Sequence, residues 1–394
     1  MPWGISACAH HLRMAGAELA RLPVEVRIAA LDRIGRAWRD PDSEHRQDAL
    51  ELLPDELGFS PEMVAWALDA AFAALTRGAL ERWWAREGGS ASARLSAHIQ
   101  AGNVFTAGLP PVVGSVLAGV PAIIKAPSAF PTFPALFARS VTELAPELGP
   151  CVGSAAWSRV DERTTKVLLE QADVAFAFGD DDSIAAIRPL TDTPLHGFGH
   201  RVSIGWVGAT PDPATVDALA CDALAYDGAG CLTPRWILVN GDLDAATAWA
   251  RLAASRLPAI NDRLPALPLD AGPGAVRAQY LGVVGFGGFA AHGPGWIASA
   301  QSALHPAPPP RALCFVPAGT LTETLAPLGA TVQGLALGGA PDPDSAVLGP
   351  HGLDLPDALA PLAALGLSLV THPGQLQRPP IDWNHDDVRI LAAL

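Results

Sequence analysis

The sequence predicts an α/β fold with mainly parallel sheets, preceded by a helical region. Three observations lead there. Up to the Trp83-Trp84 pair, apolar side chains recur at steps of three and four, the period of a helix with one buried face. From Arg94 onward, short apolar runs bounded by Gly or Pro alternate with helical stretches, the pattern of strands joined by crossover helices. The chain is also long and apolar enough for a large core, with 394 residues, 49% hydrophobic and 17% charged, and a mean hydropathy of +0.24.

In the helical region, Val24, Ile28, Leu31, Ile34 and Trp38 line one face of a predicted helix, with Arg27, Arg33 and Arg36 between them. Ser60 followed by Pro61 makes an N-cap and first-turn pair, and the helix it opens carries Val64, Leu68 and Phe72 on one face. The Trp83-Trp84 pair is expected to pack against the domain that follows. Strands are predicted at Ala122–Lys125, Val174–Phe178 and Val202–Val207, separated by helices at Pro134–Leu144, Arg163–Gln171 and Ser183–Arg188. A second alternating unit has a strand at Trp236–Val239, a helix at Leu243–Ser255 and a strand at Gln279–Val284. His305–Pro310 is a proline-rich loop, and Leu313–Val316 starts another strand.

The net charge of −14 and the lack of any Lys/Arg run argue against a nucleic-acid role, because phosphate binding needs a basic face. No charged segment precedes an apolar core at the start, so no secretory signal is expected. The most apolar run, Pro110–Ile124, is too short to span a bilayer and is broken by Gly114, Gly119 and Pro121. Cys8, Cys151, Cys221, Cys231 and Cys314 are scattered, odd in number and without metal-ligand spacing, so no metal is expected and a reduced, cytoplasmic setting is.

Gly285-Phe286-Gly287-Gly288-Phe289-Ala290 fits the G-x-G-x-x-A dinucleotide pattern after a predicted strand. That fingerprint works only when a helix N-terminus follows to hold the diphosphate, and Gly293, Pro294 and Gly295 oppose a helix. The segment is read as a tight turn. Three other segments carry more. Gly102-Asn103-Val104 leads to Lys125-Ala126-Pro127-Ser128; Ala172–Gly179 is a buried strand ending in glycine; and Gly228-Ala229-Gly230-Cys231 places glycines on both sides of an alanine just before a thiol. Such glycines let backbone N–H groups approach the sulfur and a developing oxyanion closely. A thiolate in that setting attacks carbonyl carbon well.

Taken together, these segments resemble the aldehyde dehydrogenase superfamily. Gly228-Ala229-Gly230-Cys231, with Arg235 four residues on, is similar to its nucleophile loop, and Lys125-Ala126-Pro127-Ser128 to its Lys-Pro-Ser cofactor segment with one residue inserted. The more specific resemblance is to LuxC-type acyl-CoA reductases. It rests on Gly102-Asn103-Val104, Gly199-His200-Arg201-Val202-Ser203, the Tyr226–Pro234 loop and Asp382-Trp383-Asn384-His385-Asp386-Asp387.

The resemblance implies an aldehyde-dehydrogenase-like fold. It has a Rossmann-type NAD(P)-binding domain with the helical N-terminal region over residues 1–205, an α/β catalytic thiol domain over 206–372 and a C-terminal segment over 373–394. It implies Cys231 as the catalytic thiol and Asn103 as the amide completing an oxyanion hole with that thiol's own N–H. Lys125 is implied as the contact to the adenosine ribose or its 2′-phosphate, with Ser128 in the same segment and Gly179 near the cofactor phosphates. The implied cofactor is NADPH, with NADH as the other choice. The implied substrate is acyl-CoA or acyl carrier protein, and the implied assembly is a homo-oligomer, with an acyltransferase or synthetase as a further partner.

Two departures matter. Where aldehyde-oxidising members carry Glu-Leu-Gly-Gly, this chain has Gly197-Phe198-Gly199-His200, so the Glu that activates water for hydrolysis is missing. The region expected to supply the Glu for the nicotinamide ribose falls in His305–Pro310, which has none. The first absence favours thioester reduction over aldehyde oxidation. Oxidation of aldehydes with NAD(P)⁺, and a non-catalytic scaffold for an acyl-transfer partner, are the alternatives. His200 and His385 are expected to be hydrogen-bonded structural histidines, and the four other cysteines buried and inert.

Overall fold

A computed structural model describes residues 2–268, 271–318, 328, 331–338 and 367–394. The chain divides into two compact units: one of Met1–Gly58, Ala67–His200 and Pro380–Leu394, the other of Phe59–Trp66 and Arg201–Pro379.

The helical opening comprises α1 (Pro2–Leu19), α2 (Val24–Arg39), α3 (Glu44–Leu57), α4 (Pro61–Ala73) and α5 (Arg77–Glu87). The spacing predicted for α2 is realised, with Ile28, Leu31, Ile34 and Trp38 all buried. Trp38 stacks on Phe72 at 4.8 Å, meets Phe133 edge-on, and its indole N–H donates to Ser140 Oγ at 2.9 Å, so the one polar atom of a buried ring is satisfied. Ser60 caps α4 as expected, its Oγ accepting from the Met63 N–H at 3.1 Å.

The first unit's sheet is built from β1 (Ser96–Ile99), α6 (Leu109–Ala118), β2 (Ala122–Ala126), α7 (Thr132–Leu144), β3 (Val152–Ala156), α8 (Glu162–Gln171), β4 (Val174–Phe178), α9 (Asp181–Ile187) and β5 (Leu195–Phe198). All five strands are parallel, in the order β3-β2-β1-β4-β5. One face buries Ala97, Ile99, Ile123, Ala175 and Ala177 against Ile5 and Leu12 of α1 and Leu168 and Leu169 of α8. Trp83 packs over α6, where a Cβ on Gly114 would meet its ring at 2.9 Å, so this member of the tryptophan pair meets the α/β layer as expected, while Trp84 lies under the Arg27 guanidinium of α2.

The second unit contains β6 (Val202–Val207), α10 (Pro213–Leu224), β7 (Pro234–Asn240), α11 (Leu243–Arg263), α12 (Ala271–Gly287), β8 (Phe289–Gly293), β9 (Trp296–Ala300), β10 (Ala312–Ala318), β11 (Val332–Leu337) and β12 (Leu369–Thr371). Its seven-stranded sheet has the order β12-β11-β6-β7-β10-β9-β8 and is parallel except for the β8–β9 hairpin.

Two sequence-based expectations change. Gln279–Val284 is not a strand but part of α12, because a short apolar run carries no period of its own and its buried members, Tyr280 and Val284, are one helical turn apart. The glycine-rich segment therefore ends a helix instead of following a strand. Gly288 then turns the chain tightly into β8, where a Cβ would lie 2.2 Å from the Ala300 carbonyl oxygen. The expected boundary at 205/206 would cut β6, yet the whole strand pairs with β7 and β11, and Pro380–Leu394 groups with the first unit.

Candidate active site

A parallel sheet in the order β3-β2-β1-β4-β5 reverses direction between β1 and β4, and ligands of such sheets bind outside the carboxyl ends at that switch. The structure brings all four first-unit residues of the predicted site to this edge. Asn103 is exposed in the loop between β1 and α6, Lys125 lies near the end of β2, Ser128 follows in the exposed loop, and Gly179 follows β4. Gly102 lets the Asn103 loop lie against the Ser128 loop, since a Cβ there would sit 2.7 Å from the Phe130 ring.

Lys125 is only 6% exposed, its Nζ lies 5.9 Å from the centre of the Trp157 ring, and burial pushes its pKa down. Among the described residues no carboxylate pairs with it. A buried ammonium without a counter-charge suits an anionic ligand, so the donor set fits a phosphorylated dinucleotide. The three aspartates after Gly179 include two committed to local backbone donors. Asp180 accepts from the Ser183 N–H at 2.7 Å, and Asp181 from the His200 N–H at 2.9 Å.

Gly197 has no room for a side chain. A Cβ on Gly197 would lie 2.6 Å from Cγ2 of Ile184, a buried side chain of α9, so that position is already filled. Beside it, Phe178 and Phe198 face each other across β4 and β5 at 4.5 Å, His385 stacks on Phe198 at 4.4 Å, and Trp383 stacks on His385 at 4.4 Å. His385 is thus one ring of an aromatic ladder at the carboxyl edge.

Cys231 lies at the opposite kind of position, in the loop entering the amino end of β7. The loop leaves α10 through three consecutive left-handed residues, Tyr226, Asp227 and Gly228, with φ of 50°, 52° and 71°. For two non-glycine residues that conformation is unfavourable and has to be held by its surroundings. Arg311, 4% exposed, does much of this holding. Its Nε donates to Gly295 O, one terminal nitrogen to Leu224 O and Asp227 Oδ1, and the other to Asn261 Oδ1 and Leu264 O, at 2.6 to 3.0 Å. All five N–H groups are used. Burial raises the pKa of Asp227 and Arg311 opposes that rise. Tyr226 is fixed from outside, its ring edge-on to Phe59 and Trp66 and its backbone N–H donating to Met63 Sδ at 3.2 Å.

The thiol itself is half-buried. Ser203 Oγ donates to the Cys231 carbonyl at 2.9 Å, and the Thr233 N–H donates to Gly230 O at 3.0 Å, closing the loop around Cys231 and Leu232. Burial pushes the pKa of each of the other four thiols up, to about 12 for Cys151 and about 11 for Cys314, which makes them poor nucleophiles.

Comparison with known proteins bears on this geometry. Residues 90–279, just under half the chain, match the acyl-CoA reductase (LuxC) family. The LuxC-type span runs from before β1 into α12 and contains Asn103, Lys125, Ser128, Gly179 and Cys231. No curated protein sequence matches the chain. Solved structures, aldehyde dehydrogenases among them, share the fold. HpcC from Thermus thermophilus is 12% identical with a TM-score of 0.67, covering 96% of this chain and 83% of its own. An NAD-dependent benzaldehyde dehydrogenase from Corynebacterium glutamicum is 13% identical with a TM-score of 0.65, covering 93% and 85%. Lactaldehyde dehydrogenase from Escherichia coli is 15% identical with a TM-score of 0.63, covering 93% and 83%. The fold is aldehyde-dehydrogenase-like. Among the described residues no single helix is long and apolar enough to cross a membrane, and no group of three or more His, Cys, Asp or Glu side chains gathers as metal ligands would.

Sequence reasoning missed Trp157, Arg311 and Ile184. Arg311 stands directly after the proline run, where a cation reads as a solvated loop residue. Only its distant acceptors, Leu224 and Asp227 on one side and Asn261 and Leu264 on the other, reveal its task.

Proposed function

We propose that this chain reduces an acyl thioester, carried by CoA or acyl carrier protein, to an aldehyde with NADPH in the cytoplasm. The observation that carries the direction is the filling of position 197 by Ile184, which leaves no room for a water-activating carboxylate.

In the proposed reaction the Cys231 thiolate attacks the thioester carbonyl, the oxyanion collapses, and the carrier thiolate leaves and takes a proton. Asn103 and the Cys231 backbone N–H are the assigned oxyanion donors, and one such donor is worth about 3–4 kcal/mol in the transition state. A nicotinamide cofactor, when bound, would be the source of the hydride that reduces the acyl carbon. Collapse of the resulting tetrahedral oxyanion releases aldehyde and regenerates the Cys231 thiolate. Lys125 binds the 2′-phosphate side of the cofactor, where its unpaired ammonium gains a counter-charge. Without an activating base, the acyl-enzyme is spared hydrolysis while it waits for reduction.

The test is NADPH consumption across a panel of acyl-CoAs and acyl carrier proteins, with the aldehyde identified, in wild type and Cys231→Ala. Thioester-dependent NADPH loss that disappears in the variant supports the proposal. Aldehyde oxidation with NADP⁺ and no CoA, together with no thioester reduction, overturns it.

A further inference from the structure

Behind the nucleophile loop lies a buried polar network that the proposed reaction does not use. Asp222, in α10, is fully buried, and Gln377 and Thr233 are 6% and 5% exposed. Asp222 grips the turn after β12 at two points, Oδ2 accepting from the Gly374 N–H at 2.6 Å and Oδ1 from the Gln377 N–H at 3.3 Å. The turn is held close to α10 on its other side as well. Gly374 has φ +85°, and a Cβ there would meet Ala218 Cβ at 3.2 Å.

The Gln377 carboxamide, fixed in this way, points at two acceptors. Its Nε2 donates to the Asp222 backbone carbonyl and to Thr233 Oγ1, both at 3.1 Å. Because the first acceptor is a carbonyl oxygen, the amide has to present its nitrogen on this side. Thr233 in turn donates its N–H to Gly230 O across the Cys231 turn. A rotation at Thr233 therefore re-aims the peptide units on either side of Cys231, including the N–H assigned to the oxyanion. Burying a carboxylate this deeply is unfavourable, and apolar residues would fill the same space more cheaply. The network supplies orientation, which packing alone does not.

We propose that Gln377 is a positioning residue for Cys231: anchored by Asp222, its carboxamide fixes Thr233 and so sets the direction of the backbone donors around the thiol. The inference rests on Cys231 being the nucleophile. Ser203 clamps the same loop from β6, and Gln377 clamps it from the turn after β12.

The test compares Thr233→Val, which keeps shape and loses the hydroxyl, Thr233→Ser, which keeps the hydroxyl, and Gln377→Leu, all in the full chain. Two rates are read at pH 7.5: alkylation of Cys231 by iodoacetamide, followed by peptide mass spectrometry, and acyl transfer from acyl-CoA to Cys231 in a single turnover. Urea midpoint and NADPH affinity are measured alongside. The expected result is a slowing of about tenfold in both rates for Thr233→Val and Gln377→Leu, recovery in Thr233→Ser, and unchanged NADPH affinity. Wild-type rates in both Thr233→Val and Gln377→Leu overturn the inference, as does slowing that Thr233→Ser fails to recover. If wild-type Cys231 takes iodoacetamide but no acyl group, the proposed function fails, while the alkylation rates still decide the role of Gln377.

Discussion

Arg311→Lys tests what holds the Cys231 loop. The guanidinium spends all five N–H groups on five acceptors, four of them backbone carbonyls or a neutral amide and one the Asp227 carboxylate. An ammonium offers three donors from a single point, so at least two buried acceptors lose their partner. Each buried group left unsatisfied costs about 1–3 kcal/mol, which gives a loss of about 2–6 kcal/mol. Against a domain stability of about 5–15 kcal/mol, that is a large fraction. Urea unfolding followed by tryptophan fluorescence measures it, since Trp236, Trp249 and Trp296 all lie buried in the second unit. Alkylation of Cys231 under native conditions reports the loop directly. A variant within about 1 kcal/mol of wild type, with an unchanged alkylation rate, refutes the argument that this residue holds the loop.

Three further perturbations follow from the same geometry. Gly228→Ala adds a Cβ 2.6 Å from the Arg311 backbone nitrogen at a φ of +71°. It should lose about 2–5 kcal/mol in urea unfolding, combining a left-handed alanine with an overpacked contact that no flexible side chain relieves. Lys125→Met removes a charge-assisted contact worth about 1.5–3 kcal/mol, so NADPH affinity measured by calorimetry should fall about 10- to 100-fold, with the first unit no less stable. Asp222, raised by burial to about 7, keeps its proton in the folded state where the unfolded chain has released it. Its contribution to stability is therefore full below about pH 4 and is lost as pH rises to about 7, by about 4 kcal/mol. Asp222→Asn should remove that slope, and wild-type and variant stabilities that run parallel from pH 4 to 8 would contradict it.

Much of the fold is legible in sequence because long amphipathic helices and β-branched strands carry their own period. The spacing of α2, the Ser60 cap and the apolar runs of β2, β4 and β6 all declare themselves. The glycine-containing strand Val152–Ala156 does not, since it lacks both bulk and alternation, and α12 hides behind an apolar run too short to show whether its period is 2 or 3.6. The candidate site shows the same division. Motif residues are visible as motifs, and the structure sets those of the first unit along one sheet edge. What supports them is not visible, because burial is a property of the fold: Lys125 looks like a solvated strand end, Asp222 like a polar position on a helix, and Arg311 like a loop cation. The absence of Glu at Gly197 can be read from sequence, but the Ile184 side chain that fills the space beside it appears only in three dimensions.

The central claim, that Cys231 takes the acyl group from a thioester, is tested most directly by intact-mass analysis after mixing the protein with acyl-CoA and no nicotinamide. The account predicts an acyl adduct on wild type, mapped to Cys231, absent from Cys231→Ala and discharged as aldehyde when NADPH is added. A wild-type protein that turns over thioester with no adduct, or an adduct that persists in Cys231→Ala, would contradict it.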